Sequence, residues 1–399
     1  MPKGVTFPKT ISDIQQIVKQ SAVEGFSITA RSAGTSLAGQ TTGSGVIMDT
    51  SRYMNAILEL APSKKMAHVQ PGVIRDTLNR ESAKAGLLFG PDTATTNRCM
   101  LGGMIGNNSC GSFSIKYRTT REHILEVEAV LSDGSLAVFK PINKSELAEK
   151  LKLDTLEGDI YRGMLELLNK HKDQIIEHYP HPDIIRRNTG YALDRLCEMD
   201  PVTPGGRPFN LAELLCGSEG TLAMTASAKV NLDPLPRSKT LIIPQFKSLH
   251  EAMLATVEAV KFEPSAVELV DDIILNATKG NIEQSRNRFF LENDPSCILI
   301  IQFDGDDAAD VQKKAMALAD KLQSLSLGYS YPVLTDEEKM ARVWNLRKAG
   351  LGLLMGLGSD NRSPTFVEDT AVRVEDLPAY VKEFQDILKQ NNTSCVFYA

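Results

Sequence analysis

Arg31-Ser-Ala-Gly-Thr-Ser-Leu-Ala-Gly-Gln40 is the stretch from which the rest of the chain can be read. It follows a short strand pattern, Phe26 to Ala30, and leads through Gly43 and Gly45 into another, Val46 to Asp49. Glycines at this density let a loop turn sharply and present several backbone N–H groups to one anion. Thr35 and Ser36 add hydroxyl donors. A nucleotide diphosphate suits such a loop, and so does a plain tight turn between strands. Gly34 to Thr41 also matches G-x-x-x-x-G-K-[ST], except that Gln40 stands in the lysine's place. That lysine reaches the β/γ-phosphates, so its loss argues against an NTPase, whose mark would be magnesium-dependent ATP affinity.

A second stretch, Gly90-Pro-Asp-Thr-Ala-Thr-Thr-Asn-Arg-Cys-Met-Leu-Gly-Gly-Met-Ile-Gly-Asn-Asn-Ser-Cys-Gly111, repeats the signal. Residues 31–111 hold 11 of the chain's 28 glycines, a density that costs conformational entropy on folding. Two such loops, each after a strand, favour a site where backbone lies against a flat cofactor. A third, Cys216-Gly-Ser-Glu-Gly-Thr-Leu-Ala-Met-Thr225, is alone only a turn.

The 399 residues suggest two or three domains. Hydrophobic residues make up 42% and charged residues 24%, as in ordinary globular proteins. A net charge of −6 argues against affinity for nucleic acid or an anionic membrane. The longest apolar run, Ala349 to Gly358, is half the roughly 20 residues that span a bilayer, and Met1–Thr10 carries no signal-peptide core. The six cysteines contain no C-x-x-C, which argues against a zinc knuckle or cluster held by this chain and for reduced thiols.

The spacing of Ile14, Ile17, Val18 and Ala22 predicts a first helix, capped by Ser12 with Gln15 and ended at Gly25. A strand is expected over Lys65–Gln70, a helix over Val73–Ala85, and a hairpin over Glu122–Phe139 with both Asp133 and Gly134 at positive φ. Residues 141–210 read as a helical insertion, and Asp233-Pro-Leu-Pro236 as a domain boundary. Beyond it, strands (240–246, 266–270, 297–303, 330–334, 365–372, 395–398) alternate with helices (249–260, 308–325, 336–354, 377–389), implying a helix-covered sheet.

The order of R-x-x-G-T-S-x-x-G, G-P-D…L-G-G-x-x-x-N-N-x-x-G, a hairpin and G-S-E-G-T-L resembles the FAD-binding domain of the vanillyl-alcohol oxidase/PCMH superfamily. Arg187-Asn-Thr-Gly-Tyr191, Trp344-Asn-Leu-Arg-Lys-Ala-Gly350 and Phe366-Val-Glu-Asp-Thr-Ala-Val372 are similar to the D-lactate, D-2-hydroxyglutarate and glycolate dehydrogenase branch, in particular to the flavoprotein part of large bacterial FAD/iron–sulfur enzymes. The resemblance implies an α+β fold. A two-subdomain PCMH-type FAD-binding domain (1–236) would precede an α/β FAD-oxidase C-terminal cap (237–399), incomplete at its C-terminus. Arg31, Ser32, Ala33, Gly34, Thr35, Ser36, Gly39 and Gln40 would hold the FAD pyrophosphate. Pro91, Asp92, Thr95, Gly102, Gly103, Gly106 and Asn108 would line the flavin, and Glu219, Gly220, Thr221 and Leu222 would close the site. Some relatives attach FAD through a histidine where this chain has Thr35, so the implied FAD is noncovalent. Relatives carry glycine where this chain has Arg118, which questions the local backbone fit.

The implied reaction is oxidation of a small D-2-hydroxy acid, with electrons leaving to an acceptor domain or protein bearing iron–sulfur centres. The implied setting is cytoplasmic, or peripheral at the inner membrane through that acceptor. None of the six histidines forms a helical metal pair, and the resemblance places the base and divalent-metal ligands in a histidine-rich segment beyond Ala399. A fragment of a longer enzyme, short of its own catalytic base and with little turnover, is therefore the expectation. A noncatalytic FAD-binding subunit or assembly module is the alternative. Arg347 bears on that choice. Thr335 and Glu338 read as a capping box for a helix whose apolar face includes Met340, Val343, Trp344, Leu351, Leu354 and Met355. Arg347 falls on that face and needs an anionic partner. Glu368 or Asp369 would make the pair internal; the resemblance makes it the substrate carboxylate, held bidentately.

Overall fold

The computed structural model describes residues 1–187, 190–355 and 370–397. The chain divides into two compact units: Met1–Gly111 with Arg118–Pro182 and Arg186–Leu235, and Ser112–Tyr117 with Asp183–Ile185 and Pro236–Ala399.

The first unit opens with β1 (Gly4–Thr6), α1 (Ile11–Glu24), β2 (Ile28–Arg31) and β3 (Val46–Asp49). β3 lies between β1 and β2 and pairs in parallel with both. Ile14 and Val18 of α1 are buried with Met48, Met54, Val130 and Ala226, the one-face stripe that the spacing predicts. The cap differs from the expectation. Thr10 and Asp13 form the capping box, and Gln15 instead donates its amide to Gly134 O at 2.8 Å. Asp13 has the short carboxylate that reaches back to the Thr10 N–H, at 2.9 Å.

β4 (Ile57–Ala61), β5 (Met66–Val69), α2 (Arg75–Ala83), β6 (Leu87–Leu88) and α3 (Leu101–Asn107) follow, and then the hairpin β7 (Ile124–Val130) and β8 (Leu136–Phe139). α4 (Ser114–Tyr117) counts with the second unit. The insertion supplies α5 (Lys144–Lys152), α6 (Leu156–His178), α7 (Leu193–Cys197) and α8 (Ala212–Leu215) before β9 (Met224–Asn231) and β10 (Asp233–Pro234). An antiparallel sheet runs β4-β5-β9-β7-β8, so the strand after the insertion returns to its centre. The hairpin turn departs from the two-residue type. Leu131 N–H donates to Ser135 O across three residues, and of Asp133 and Gly134 only Gly134 has positive φ. The Asp133 carboxylate accepts from Ser135 N–H at 2.8 Å, which fixes the turn without a left-handed aspartate.

In the second unit, β11 (Ser238–Ile242) and β12 (Gln245–Phe246) replace the single strand expected over 240–246, interrupted at Ile243-Pro244. α9 (Leu249–Ala259), β13 (Ala266–Asp271), α10 (Asp272–Ala277), α11 (Ile282–Arg286), β14 (Cys297–Gly305), α12 (Ala308–Ser324), β15 (Val333–Leu334), α13 (Glu337–Met355) and α14 (Leu377–Gln390) complete it. β14 is central, with β13 on one side and β11 and β12 on the other, and every pairing is antiparallel. Its side chains alternate between two cores. Cys297, Leu299, Ile301 and Phe303 meet one helix layer, and Ile298 and Ile300 the other. Of the strand expected over 365–372, residues 365–369 lie outside the described residues and 370–372 are not a strand. Of that over 395–398, Tyr398 lies outside and 395–397 are irregular, with Phe397 N–H donating to Asp271 Oδ2 at 2.8 Å.

Arg118 sits at φ 59°, the left-handed region, and its side chain is exposed. The glycine that the resemblance puts there would suit the backbone without strain, and the arginine makes no buried contact to lose. Arg118→Gly is expected to raise unfolding stability by about 0.5–1 kcal/mol, the unfolded chain's greater freedom offsetting part of the relief. Urea denaturation checks this; a loss of stability would mean that Arg118 has a role beyond this strain.

Candidate cofactor site

Within the second glycine-rich stretch, Leu101–Asn107 is a helix where the sequence suggests a loop. Leu101, Met104 and Ile105 are buried on one side of α3, leaving Gly102, Gly103 and Gly106 together on the other. Each glycine costs a helix up to about 1 kcal/mol against alanine, and burying each large apolar side chain returns about 1.5–3 kcal/mol. Gly102 packs on Pro71, where a Cβ would fall 2.6 Å from Pro71 Cβ, and Gly103 and Gly106 meet the other two loops. A Cβ on Gly103 would lie 3.9 Å from Ser32 Cβ, and one on Gly106 3.9 Å from Glu219 Cα. Asn107 Nδ2 donates to Ser36 Oγ at 2.6 Å. From the third segment, Gly217 N–H donates to Ile105 O at 3.0 Å and Glu219 N–H to Gly106 O at 2.9 Å. The end of β2, the first loop, α3 and the third loop thus form one surface within the first unit.

Two side chains that the sequence reading did not single out hold it. Arg121 is buried, and its guanidinium donates to Glu213 O at 3.0 Å and Cys216 O at 2.5 Å. Asn108, the left-handed cap of α3, is fully buried. Its Oδ1 accepts from Arg121 N–H at 2.9 Å and lies 2.9 Å from Thr119 Oγ1. Asn108, expected to line the flavin, here joins α3 to the 119–121 segment, from which Arg121 reaches the third loop. Arg75 is the other: it donates to Phe89 O and Pro91 O and pairs with Asp92 at 3.4 Å. Pro91 and Asp92 are tied to Arg75, and Thr95 O takes the N–H groups of Arg98 and Cys99 in a local turn. That segment closes on Gly111, where a Cβ would fall 1.4 Å from Asp92 O, so no other residue fits. Both stand in locally polar sequence, Thr119-Thr-Arg121-Glu-His123 and Arg75-Asp-Thr77, so nothing local marks either as buried.

The donor chemistry fits an anion beside a flat apolar group. Gly34 is at φ 66°, and the N–H groups of Ala33–Leu37 donate to no acceptor among the described residues. Gln40 Oε1 is buried without a hydrogen-bond partner there. Leu37 and Leu222 are exposed, one on each outer loop. Arg31 donates to Thr41 O at 3.3 Å, and its guanidinium lies where a Cβ on Gly34 would fall. These features suit a nucleotide diphosphate with an attached ring, as FAD has. All six cysteines are free, and burial pushes the Cys216 and Cys297 thiols up to about 12, which leaves them unreactive.

In the second unit, the cap of α13 is Asp336, whose Oδ1 accepts from Lys339 N–H at 2.8 Å, not Thr335. Arg347, 8% exposed, has an internal partner: Nε donates to Glu268 Oε2 at 2.6 Å, and a terminal nitrogen also contacts that oxygen. Glu268 comes from β13; Glu368 and Asp369, the partners expected from the sequence, lie outside the described residues. Trp344 Nε1 donates to Gln302 Oε1 at 2.8 Å. Among the described residues, no group of side chains could hold a metal ion, and no helix is long and apolar enough to cross a membrane.

Arg347→Ala strands a buried carboxylate and should cost about 3–5 kcal/mol, whereas the Arg347→Met/Glu268→Leu pair should recover most of it. Denaturation of the two variants checks this; equal losses would refute the pairing. Glu122 gives a pH prediction. Burial opposes its charge, but the Thr119 hydroxyl at 2.5 Å and N–H at 3.1 Å outweigh burial and lower its pKa. A depressed folded pKa contributes stability above the ordinary glutamate range, and that contribution is lost as pH falls through the lowered value. Glu122→Gln should therefore be less stable than wild type near neutral pH, with the gap in Tm narrowing below about pH 4.

Residues 2–140 match a family described as FAD binding domain, and residues 235–399 one described as FAD linked oxidases, C-terminal domain. D-2-hydroxyglutarate dehydrogenase of Pantoea ananatis is 32% identical over 99% of this chain and 39% of its own length. That of Haemophilus influenzae is 33% identical over 98% and 39%. Glycolate oxidase subunit GlcD of Bacillus subtilis is 25% identical over the whole chain and 70% of its own. The chain thus spans 39% of the length of each of these two dehydrogenases. The solved structure of alkyldihydroxyacetonephosphate synthase shares the fold, with a TM-score of 0.56 at 15% identity over 85% of this chain and 54% of that one. By these two matches the chain carries an FAD binding domain over residues 2–140 and the C-terminal domain of FAD linked oxidases over residues 235–399.

Proposed function

We propose that this chain is the flavin-holding part of an FAD-dependent dehydrogenase that converts a D-2-hydroxy acid, such as D-2-hydroxyglutarate, D-lactate or glycolate, to the 2-oxo acid. The observation that carries the reading is the meeting of three glycine-bearing segments on one surface, with the N–H groups of Ala33–Leu37 without protein acceptors among the described residues. Bound FAD would supply the two-electron acceptor that oxidation of an alcohol carbon requires. The chain's own residues bind and orient. The N–H groups of 33–37, with the Thr35 and Ser36 hydroxyls, would take the diphosphate. Gly103 and Gly106 of α3 would leave room for the ring system, and Glu219–Leu222 would close over it. With threonine at position 35 the FAD would be held noncovalently. Electrons would pass on to an iron–sulfur acceptor.

The Arg347–Glu268 pair favours a second reading, in which the chain holds FAD without binding the hydroxy acid through Arg347. In the first reading Glu268 orients Arg347 toward the substrate carboxylate; in the second, the pair is structural. Visible spectra of the purified protein test both. Flavin absorption that leaves with the supernatant on heating is expected. A colourless protein that takes up no added FAD would sink both readings. D-2-hydroxyglutarate should perturb the bound flavin's spectrum, and Arg347→Lys, which keeps the charge but not the fork, should weaken that response tenfold or more on the order expected for a lost bidentate contact. An unchanged response would favour the structural role.

A further inference from the structure

Tyr191 belongs to the Arg187–Tyr191 motif, to which the cofactor reading gives no role. It reaches the third loop from outside. Its hydroxyl lies 2.8 Å from Thr221 Oγ1, and Thr221 in turn donates its single proton to Ser218 O at 2.5 Å. Thr221 therefore has only its lone pairs to offer, and Tyr191 is the donor. Behind it, the Tyr179 hydroxyl donates to the Tyr191 carbonyl. Tyr179 caps the C-terminus of α6, so the chain of hydrogen bonds starts on a 23-residue helix. A second contact reinforces it: a Cβ on Gly217 would lie 3.6 Å from Gly190 O. Arg187 anchors the other end of the motif, paired with Asp194 at 2.8 Å.

The turn that these contacts hold is a strained one. Gly217, Glu219 and Gly220 all have positive φ, at 89°, 52° and 76°. For a glutamate, that conformation persists only where neighbours impose it. From α3 the turn is held by the Gly217 and Glu219 N–H groups; on the far side, Thr221 is held by Tyr191. We infer that Tyr191 is a positioning residue for the cofactor loop, and that the relay Tyr179 → Tyr191 → Thr221 → Ser218 fixes Glu219–Leu222 in the shape presented to FAD. The inference rests on the flavin reading for its ligand, and on geometry alone for the strut.

Tyr191→Phe removes one hydroxyl from a 39%-exposed side chain, so global stability should stay within the usual range for a surface change. Two readouts then apply to the full chain. Hydrogen–deuterium exchange of the peptide covering Gly217–Leu222 should speed up several-fold in Tyr191→Phe while the α3 core peptide is unchanged. FAD affinity should fall about 3- to 10-fold, the range a lost hydrogen bond gives, with an altered circular-dichroism signature of the bound flavin. In a Thr221→Val background the Tyr191→Phe change should add little, because the acceptor is already gone. Unchanged exchange in Tyr191→Phe, or effects of the two substitutions that simply add, would overturn the strut. Faster exchange with unchanged FAD affinity would overturn its bearing on the cofactor. If wild type takes up no FAD, the flavin reading fails, and with it the role toward FAD; exchange still decides the strut.

Discussion

Everything at the candidate site depends on how backbone groups of three glycine-bearing segments are satisfied where they meet. Such segments have few side chains to lock together, so the N–H and C=O groups must do it. Asn108 is the joint. It ends α3 in the left-handed conformation, is fully buried, and brings its one side-chain oxygen to the start of the next segment. Arg121 extends the joint, because a buried guanidinium has donors enough to hold the carbonyls of Glu213 and Cys216. A buried arginine aimed at neutral carbonyls is uncommon and would be costly alone. Glu213 offers Arg121 its carbonyl while its carboxylate is paired with Arg207. Contacts from Arg121 to main-chain oxygens thus hold a segment whose own side chains are mostly small.

Much of this was legible. The stretch around Arg31–Gln40 is flanked by the strands its pattern predicts, and the apolar periodicity of α1, α9 and α12 marks helices at the observed places within a few residues. Three kinds of feature were not. α3 carries three glycines in seven residues, and local propensity speaks against a helix there; only burial of Leu101, Met104 and Ile105 decides otherwise, and burial is a tertiary fact. Caps slipped by one or two residues at Thr10 and Asp336, because several polar residues in a row can each serve and geometry chooses. The short strands β1, β4 and β6 have too few residues to display a period.

Partners were the least legible feature. The need of Arg347 for an anion follows from its place on an apolar helix face, but nothing local identifies Glu268, 79 residues earlier. The same holds for Arg121, whose acceptors lie more than ninety residues away. Local pattern gives the demand for a partner, and topology supplies it.

The two units solve the problem of a buried charge in opposite ways. In the first, Arg121 turns to main-chain oxygens, and its place is set by the loops it binds. In the second, Arg347 meets the carboxylate of Glu268 on a sheet whose central strand is apolar on both faces. Desolvation of such a pair cancels much of its attraction, so its net effect on stability is small while both partners are present. Its effect on register is large. If α13 slid by one turn, both charges would be buried and unmatched, whereas the surrounding Met340, Val343 and Leu346 could repack at modest cost. The ion pair therefore selects one seating of α13 on β13 among several that the hydrophobic surface alone would tolerate.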